Sequence, residues 1–440
     1  MKETASQTGQ NGVAIPARTG TGEGFRTYEV HQRERVGEST AKVKPAQFLA
    51  PTFAANPYPL LTILRENYPC YRNWVTNDYF ITRYDDVTSV FVDEANFETR
   101  PKRWHYAKED YGQDLGKTVD VLQSHADYFD NNVKQIAERV VGEMFVADRA
   151  DLATEFAARV ALELLVGWLD IPEQNSSWFI ERYWQIERGA HWEPRAQQAG
   201  LTAMAELSQF FAPLLAERRK GSRPDLIATI ARMSTLAGPA RAEDVVATLL
   251  EWDHATLHGA LANLWYLLLT EPNALQHVRE ERMQLKYAYL ETLRHSPPVL
   301  TAQRFARHEV ERFGRMLPEG ALVMCSAAAA NRDPRIFHEP DKFIIGRKDL
   351  CQREPRGQFR ADGLASGIAF GLGAPSKHPA VPEDRPRSLY AITRDTVSAA
   401  SSVLLDMTKH IELLEPLPTL RSLRLHDTYT CWSLPVRLHT

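Results

Sequence analysis

The stretch Glu291-Thr-Leu-Arg294 sets an acidic and a basic side chain three residues apart in a run with helical spacing. Residues at this spacing share one face of a helix, so the two side chains can form an ion pair. A buried pair is stable only when further hydrogen bonds satisfy both groups, because burial removes their hydration. Taken alone, the spacing is typical of an exposed ion pair on a helix surface.

The segments after this helix make the pattern specific. Pro297-Pro298 ends the helix, since proline lacks the amide hydrogen that a helix needs. Leu317-Pro-Glu-Gly320 has the composition of a turn, and Ala321-Leu-Val-Met-Cys325 that of a buried strand. The series is completed by four alanines and Asn331-Arg-Asp-Pro334, by Pro340-Asp-Lys-Phe343, and by Arg347.

In order and spacing, the E-x-x-R helix, the A-x-x-N-R-D-P segment and the P-D-x-F segment resemble the cytochrome P-450 family, the haem-thiolate monooxygenases. The resemblance implies a mainly α fold with small β-sheets. It implies that Glu291, Arg294 and Arg347 hold this fold together. It also implies that Arg304, on the strand before the turn, stands where family members often contact a haem propionate.

The same resemblance locates the loop that should hold the haem iron. The family pattern is F-G-x-G-x-x-x-C, and residues 370–377 keep its frame but have Lys377 in place of the cysteine. Lysine binds iron only as the neutral amine, which is costly for a group that titrates near ~10.4. His378 is adjacent, and imidazole is a good haem ligand. We therefore expect no thiolate-ligated haem, with iron held by His378 as the alternative.

Residues 243–269 resemble the family's central helix, which runs over the haem. When Thr256 is aligned with the family threonine, Asp253 replaces the glycine of the oxygen site and Ala255 replaces the acid. Trp252 replaces the small residue before that glycine, and its indole is expected to fill space needed by haem and oxygen. Loss of the thiolate and of this site together predicts that haem-thiolate oxygen activation is not retained.

Two other patterns carry alternatives. His254 and His258 share a face of the central helix at a spacing found in zinc sites, but no third ligand is evident, so we predict no metal. The basic residues within 218–223 end a predicted helix. They favour either a solvated helix end suited to the helix dipole or a docking patch for an acidic partner.

Composition narrows the class of protein. The chain has 440 residues and a net charge of −4, which gives no electrostatic case for nucleic acid. Its four cysteines form no C-x-x-C pair, and no apolar run reaches the length of a membrane span. We expect a cytoplasmic protein with a disordered tail over residues 1–44 and one cytochrome P-450-like domain over 45–440. The last helix is predicted over residues 388–414.

Three functions stay open from the sequence. The first is a haem-free auxiliary protein in a bacterial biosynthetic pathway, partnered with an enzyme of the glycosyltransferase type. The second is an enzyme that binds a small molecule in the vacated pocket, where Asp253, His254 and Thr256 would transfer protons and Lys377 would add a cation. For both we expect no bound cofactor. The third is a haem-binding oxidoreductase with His378 or water on the iron.

Overall fold

The computed structural model describes most of the chain beyond the predicted tail. The predicted iron-loop residues Lys377 and His378, and Asp253 of the central helix, lie outside the described residues. So does the predicted tail, apart from its last two residues. The described ranges are 43–349 and 389–440, without 92, 94, 101–105, 107–120, 123, 148, 191–192, 236–237, 253 and 423–427.

Helices dominate the described chain, as the sequence predicts. A 3-10 helix at Pro45–Leu49 comes first, and a π-helix at Leu152–Ala158 runs directly into α5. Within the described ranges, no helix is long and apolar enough to cross a membrane. The α-helices are α1 (Pro51–Ala55), α2 (Tyr58–Asn67), α3 (Tyr84–Phe91), α4 (Asp127–Met144), α5 (Arg159–Trp168), α6 (Glu173–Gly189), α7 (Pro194–Lys220), α8 (Leu226–Ala231), α9 (Ala242–Trp252), α10 (His254–Thr270), α11 (Ala274–Glu280), α12 (Gln284–His295), α13 (Ala327–Ala330) and α14 (Leu389–Met407).

The strands are short and form small sheets. The largest has five strands in the order β1-β2-β10-β7-β3, and a three-stranded sheet has the order β11-β14-β4. In chain order the strands are β1 (Tyr71–Asn73), β2 (Asp78–Ile81), β3 (Phe97–Glu98), β4 (Ala150–Asp151), β5 (Ser234–Thr235), β6 (Gly238–Pro239), β7 (Ala302–Ala306), β8 (Val310–Arg312), β9 (Arg315–Leu317), β10 (Leu322–Cys325), β11 (His410–Leu413), β12 (Leu420–Arg421), β13 (Thr430–Cys431) and β14 (Pro435–His439).

The five-stranded sheet fixes the position of Arg304. Strand β10 runs parallel to β2 and antiparallel to β7, so Val323 lies opposite Tyr79 on one side and Arg304 on the other. A parallel pair needs a long connection between its strands, and here helices α3 to α12 lie between β2 and β10. Arg304 therefore sits on an inner strand of the sheet.

The central helix lies in the main hydrophobic core. Leu257, Leu261, Leu264 and Leu268 on α10 are all buried, and so is Trp265. A helix that is apolar on every side is expected to be surrounded by other elements. On one side, the indole nitrogen of Trp265 donates a hydrogen bond to Ser401 Oγ in α14, at 3.2 Å. The central helix is thus packed inside the core and is bonded to α14.

The last helix is shorter than the sequence predicts. It ends at Met407, and His410–Leu413 is strand β11, paired antiparallel with β14. His410 lies opposite His439 and Leu413 opposite Val436. The prediction of helix to residue 414 is wrong because these backbone groups bond to a strand at the end of the chain, a contact that helical periodicity does not reveal.

Candidate functional site

The side chains of Glu291 and Arg294 form a fully buried ion pair on α12. Arg294 Nη2 lies 2.7 Å from Glu291 Oε1 and Arg294 Nε lies 2.8 Å from Glu291 Oε2, so the contact is bidentate. Both side chains are 0% exposed. Arg347 adds a second cation, with its Nε 3.1 Å from Glu291 Oε1. One carboxylate therefore holds two guanidinium groups.

Backbone groups of the segment after α13 satisfy the rest of this cluster. Arg294 Nη1 donates to the carbonyl oxygens of Asn331 and Pro340, at 2.9 and 2.6 Å, and Nη2 donates to that of Lys342 at 2.9 Å. The amide of Ile344 donates to Glu291 Oε1 at 2.9 Å. The cluster meets the condition for a stable buried pair, and it ties the segment over residues 331–347 to α12.

Arg304 offers a buried cation at a different place in the fold. Its side chain is 4% exposed and its guanidinium lies 4.6 Å above the ring of Phe91, on α3. Arg304 Nη1 donates to the carbonyl of Gln303 at 2.8 Å. A buried cation favours an anionic partner, and the carboxylates of haem are anions of this kind. A contact of Arg304 with a haem propionate is compatible with this burial and stays a prediction.

The structure describes only part of the predicted central-helix cluster. Thr256 is 6% exposed, one turn into α10. His254 begins α10, but its side chain is outside the description, as is the whole of Asp253. Thr256 is thus placed in the buried part of the helix. The grouping of Asp253, His254 and Thr256 as a proton-transfer site stays a prediction.

Trp252 packs between helices. Its ring stacks on Phe129 of α4, with centroids 4.6 Å apart, and meets Trp168 of α5 edge-on at 5.2 Å. Its observed contacts are with two helices of the core, and the expectation that this indole fills space needed by haem stays a prediction. The three rings are far apart in the sequence, so no local pattern could have shown their contact. Burial of such rings stabilises the helix interface.

Asn263, two turns after Thr256 on α10, makes a set of hydrogen bonds that the sequence did not lead us to predict. Asn263 is fully buried, and its Nδ2 donates to the carbonyls of Ser296 and Tyr429, both at 2.9 Å, while its Oδ1 accepts from the amide of Cys431 at 3.1 Å. One side chain therefore bonds α10 to the end of α12 and to β13. A polar residue inside an apolar helical run is the signal that could have revealed it.

His258 is buried and neutral. Burial lowers the pKa of its imidazole to about 4, and its ring meets Trp432 edge-on at 5.8 Å. Among the described residues, no group of three His, Cys, Asp or Glu is placed to hold a metal ion. Burial and the ring contact place His258 in the core of the fold.

The basic cluster at the end of α7 is paired with acids. Arg218 Nε lies 2.6 Å from Asp225 Oδ2 and Arg218 Nη2 lies 3.2 Å from Asp170 Oδ2. Arg223 reaches the same two carboxylates, at 3.2 and 2.9 Å. These contacts pair Arg218 and Arg223 with acids and tie α7 to the start of α8. They favour a structural role over a docking patch.

Comparison with known proteins agrees with the fold and with the family resemblance seen in the sequence. The sequence profile of the family described as Cytochrome P450 matches residues 246–349. Pulcherriminic acid synthase of Bacillus subtilis is 26% identical over 85% of this chain and 93% of its own length. The ligand-free structure of cytochrome P450 TbtJ1 superimposes with a TM-score of 0.71 at 21% identity, covering 88% of this chain and 98% of that one. The chain belongs to the cytochrome P450 superfamily.

Two further relatives of this P450 carry names that denote reactions. Cytochrome P450 monooxygenase PikC of Streptomyces venezuelae is 27% identical over 74% of this chain and 82% of its own length. The 6-deoxyerythronolide B hydroxylase of Saccharopolyspora erythraea is 29% identical over 55% of this chain and 58% of its own length. This P450 therefore has relatives that are biosynthetic monooxygenases.

Membership of the superfamily corrects the cofactor prediction. We expected no cofactor, and that expectation is wrong, because the cytochrome P450 family and its relatives matched here are haem-binding enzymes. Among the described residues, Arg304 is a buried cation on an inner strand, which is compatible with the predicted contact to a propionate. Trp252 lies in a helix interface with Phe129 and Trp168. The physical error was to infer the loss of a whole cofactor site from changes at a few positions.

Proposed function

We propose that this P450 is a haem-binding oxidoreductase that modifies a small molecule in a bacterial biosynthetic pathway. We propose further that its iron is held by the imidazole of His378 rather than by a thiolate. Membership of the superfamily supports haem as the cofactor. The sequence supports an iron ligand other than a thiolate, because Lys377 stands where the family pattern has its cysteine.

One observation carries the biosynthetic part of this proposal. Pulcherriminic acid synthase matches the chain over 93% of its own length, so the likeness spans the whole enzyme and not just one motif. The names of PikC and 6-deoxyerythronolide B hydroxylase also denote oxidation of a small molecule. A fold does not fix a function, so the substrate class is inferred from these names alone.

The chain's own residues would have separate roles in this site. Arg304 would bind a haem carboxylate, and His378 would coordinate the iron through an imidazole nitrogen. Haem, when bound, supplies the redox-active iron centre. Since Ala255 replaces the family's acid, protons would be handled on the central helix by Asp253, His254 and the buried hydroxyl of Thr256.

The test of the ligand is haem retention in matched variants. The full chain is produced with added haem precursor, and haem is measured per protein for the wild type, His378→Ala and His338→Ala. The side chain of His338 is 87% exposed, so its removal controls for the loss of a histidine. We expect haem in the wild type and in His338→Ala, and at least a tenfold weaker haem affinity in His378→Ala. Equal haem in all three contradicts the role of His378.

A second role rests on the replacement of the cysteine position by Lys377. A haem-containing P450 without a thiolate could assist a partner enzyme of the glycosyltransferase type, a partner that the sequence alone suggests. Partner binding has a parallel in the fold, since one structural neighbour is P450BioI in complex with an acyl-ligated acyl carrier protein, with a TM-score of 0.72. Co-purification with the partner and a gain in its activity, retained in His378→Ala, would support this role. Unchanged activity of the partner enzyme would contradict this role.

A further inference from the structure

The exposed face of the three-stranded sheet carries two histidines that lie directly opposite each other. Strands β11 and β14 are antiparallel, and their register places His410 opposite His439. Side chains alternate between the two faces of a strand, so the buried Ile411 lies on the other face from His410 and Glu412. A shift of one residue would expose Ile411, so burial fixes this register. The two imidazoles are therefore held on one face of the sheet.

The distance between the two rings is suitable for binding one metal ion. Their centroids lie 5.5 Å apart, with 32° between the ring planes. Two imidazoles that bind one tetrahedral ion through nitrogens at ~2.1 Å have centroids about 5 Å apart. Opposite residues of an antiparallel pair have Cβ atoms only ~5 Å apart, so small rotations of the side chains of His410 and His439 would place both nitrogens on one ion. The backbone does not need to move.

The charges beside the two histidines are balanced. Glu412 Oε2 lies 3.7 Å from His439 Nε2 and 3.0 Å from Arg437 Nη1. The carboxylate offsets the guanidinium, which would otherwise repel a cation at the rings. The side chains of His439, Glu412 and Arg437 are 46%, 44% and 38% exposed. Water therefore reaches the two imidazoles and can complete the coordination shell of a bound ion.

We propose that His410 and His439 bind a divalent late transition-metal ion, Zn²⁺ above all, with water at the remaining positions. Imidazole is a good ligand for Zn²⁺, Ni²⁺ and Cu²⁺, whereas Mg²⁺ and Ca²⁺ prefer oxygen ligands. Two protein ligands hold an ion less tightly than the four ligands of a structural zinc centre. A bound ion joins β11, at the edge of the sheet, to β14 in its middle. This site does not depend on haem.

Amide hydrogen exchange of the full chain with and without Zn²⁺ tests the site. Binding to the paired strands suppresses their opening by mass action, so exchange over residues 410–413 and 436–439 should slow about fivefold at a zinc concentration of about four times the Kd. Mg²⁺ at the same concentration should have no effect. His410→Gln and His439→Gln should each abolish the slowing, because each leaves a single imidazole. Both positions are exposed, so either variant is expected to fold.

His338→Gln is the matched control. His338 is also exposed and lies beside a carboxylate, with its Nε2 3.8 Å from Glu339 Oε2, but it is not in a strand. The control should keep the wild-type response to Zn²⁺. Unchanged exchange of the wild type in Zn²⁺ overturns the site. Equal slowing in His410→Gln and His439→Gln also overturns it, because zinc would then be bound by other residues.

Discussion

At the scale of single residues, Asp86 shows how burial sets a pH dependence. This aspartate on α3 is 6% exposed, its Oδ2 has no hydrogen-bond partner, and burial raises the pKa of its carboxyl from 3.8 to about 7. Arg83 lies close enough to oppose this rise, which it does only in part. The folded chain therefore keeps a proton that the unfolded chain loses between pH 4 and pH 7, and stability falls as the pH rises through that window.

Asp86→Asn should remove this penalty. We expect the free energy of unfolding at pH 8 to rise by on the order of 1–3 kcal/mol, and its decline between pH 4 and pH 7 to become shallower. Urea unfolding at several pH values measures both. Asp85→Asn, which removes the same charge from the less buried neighbour, should leave the slope close to that of the wild type. A slope unchanged by Asp86→Asn would contradict the account.

At the scale of elements, the cluster on α12 should dominate the stability of the segment that follows α13. Arg294→Met leaves the fully buried Glu291 carboxylate short of its main partner, and we expect a loss of about 3–5 kcal/mol in the free energy of unfolding. Arg139→Met breaks ion pairs with Glu143 and Glu163 in which the arginine is about half exposed, so it should cost under ~1 kcal/mol. Similar losses in the two variants would refute a special role for the buried cluster.

Elements were predictable from sequence where the pattern was local. The Glu291–Arg294 spacing and the proline and turn signals after it gave the helix and strands around β7 and β10. Contacts between distant segments were not predictable. Trp252 meets its two rings across the core, and β11 pairs with the end of the chain. Each depends on tertiary packing, which overrides local propensity.

At the scale of the whole molecule, the fold could be predicted from the sequence more reliably than the site. The motif order implied a P450 fold, and the comparisons show membership of that superfamily. The site was harder to predict, because the changes at Lys377 and Trp252 were taken to mean that haem was absent. Trp252 packs against Phe129 of α4 and Trp168 of α5, and whether its indole takes space needed by haem stays a prediction.

The most direct test of the central claim is the absorption spectrum of the reduced wild-type protein under carbon monoxide. We predict a Soret band at the position of a nitrogen-ligated haem, with haem and protein present in equal amounts. A band at the position of a thiolate-ligated haem would show that a cysteine holds the iron and would contradict the assignment of His378. The absence of any Soret band, in protein produced with ample haem precursor, would contradict haem binding itself.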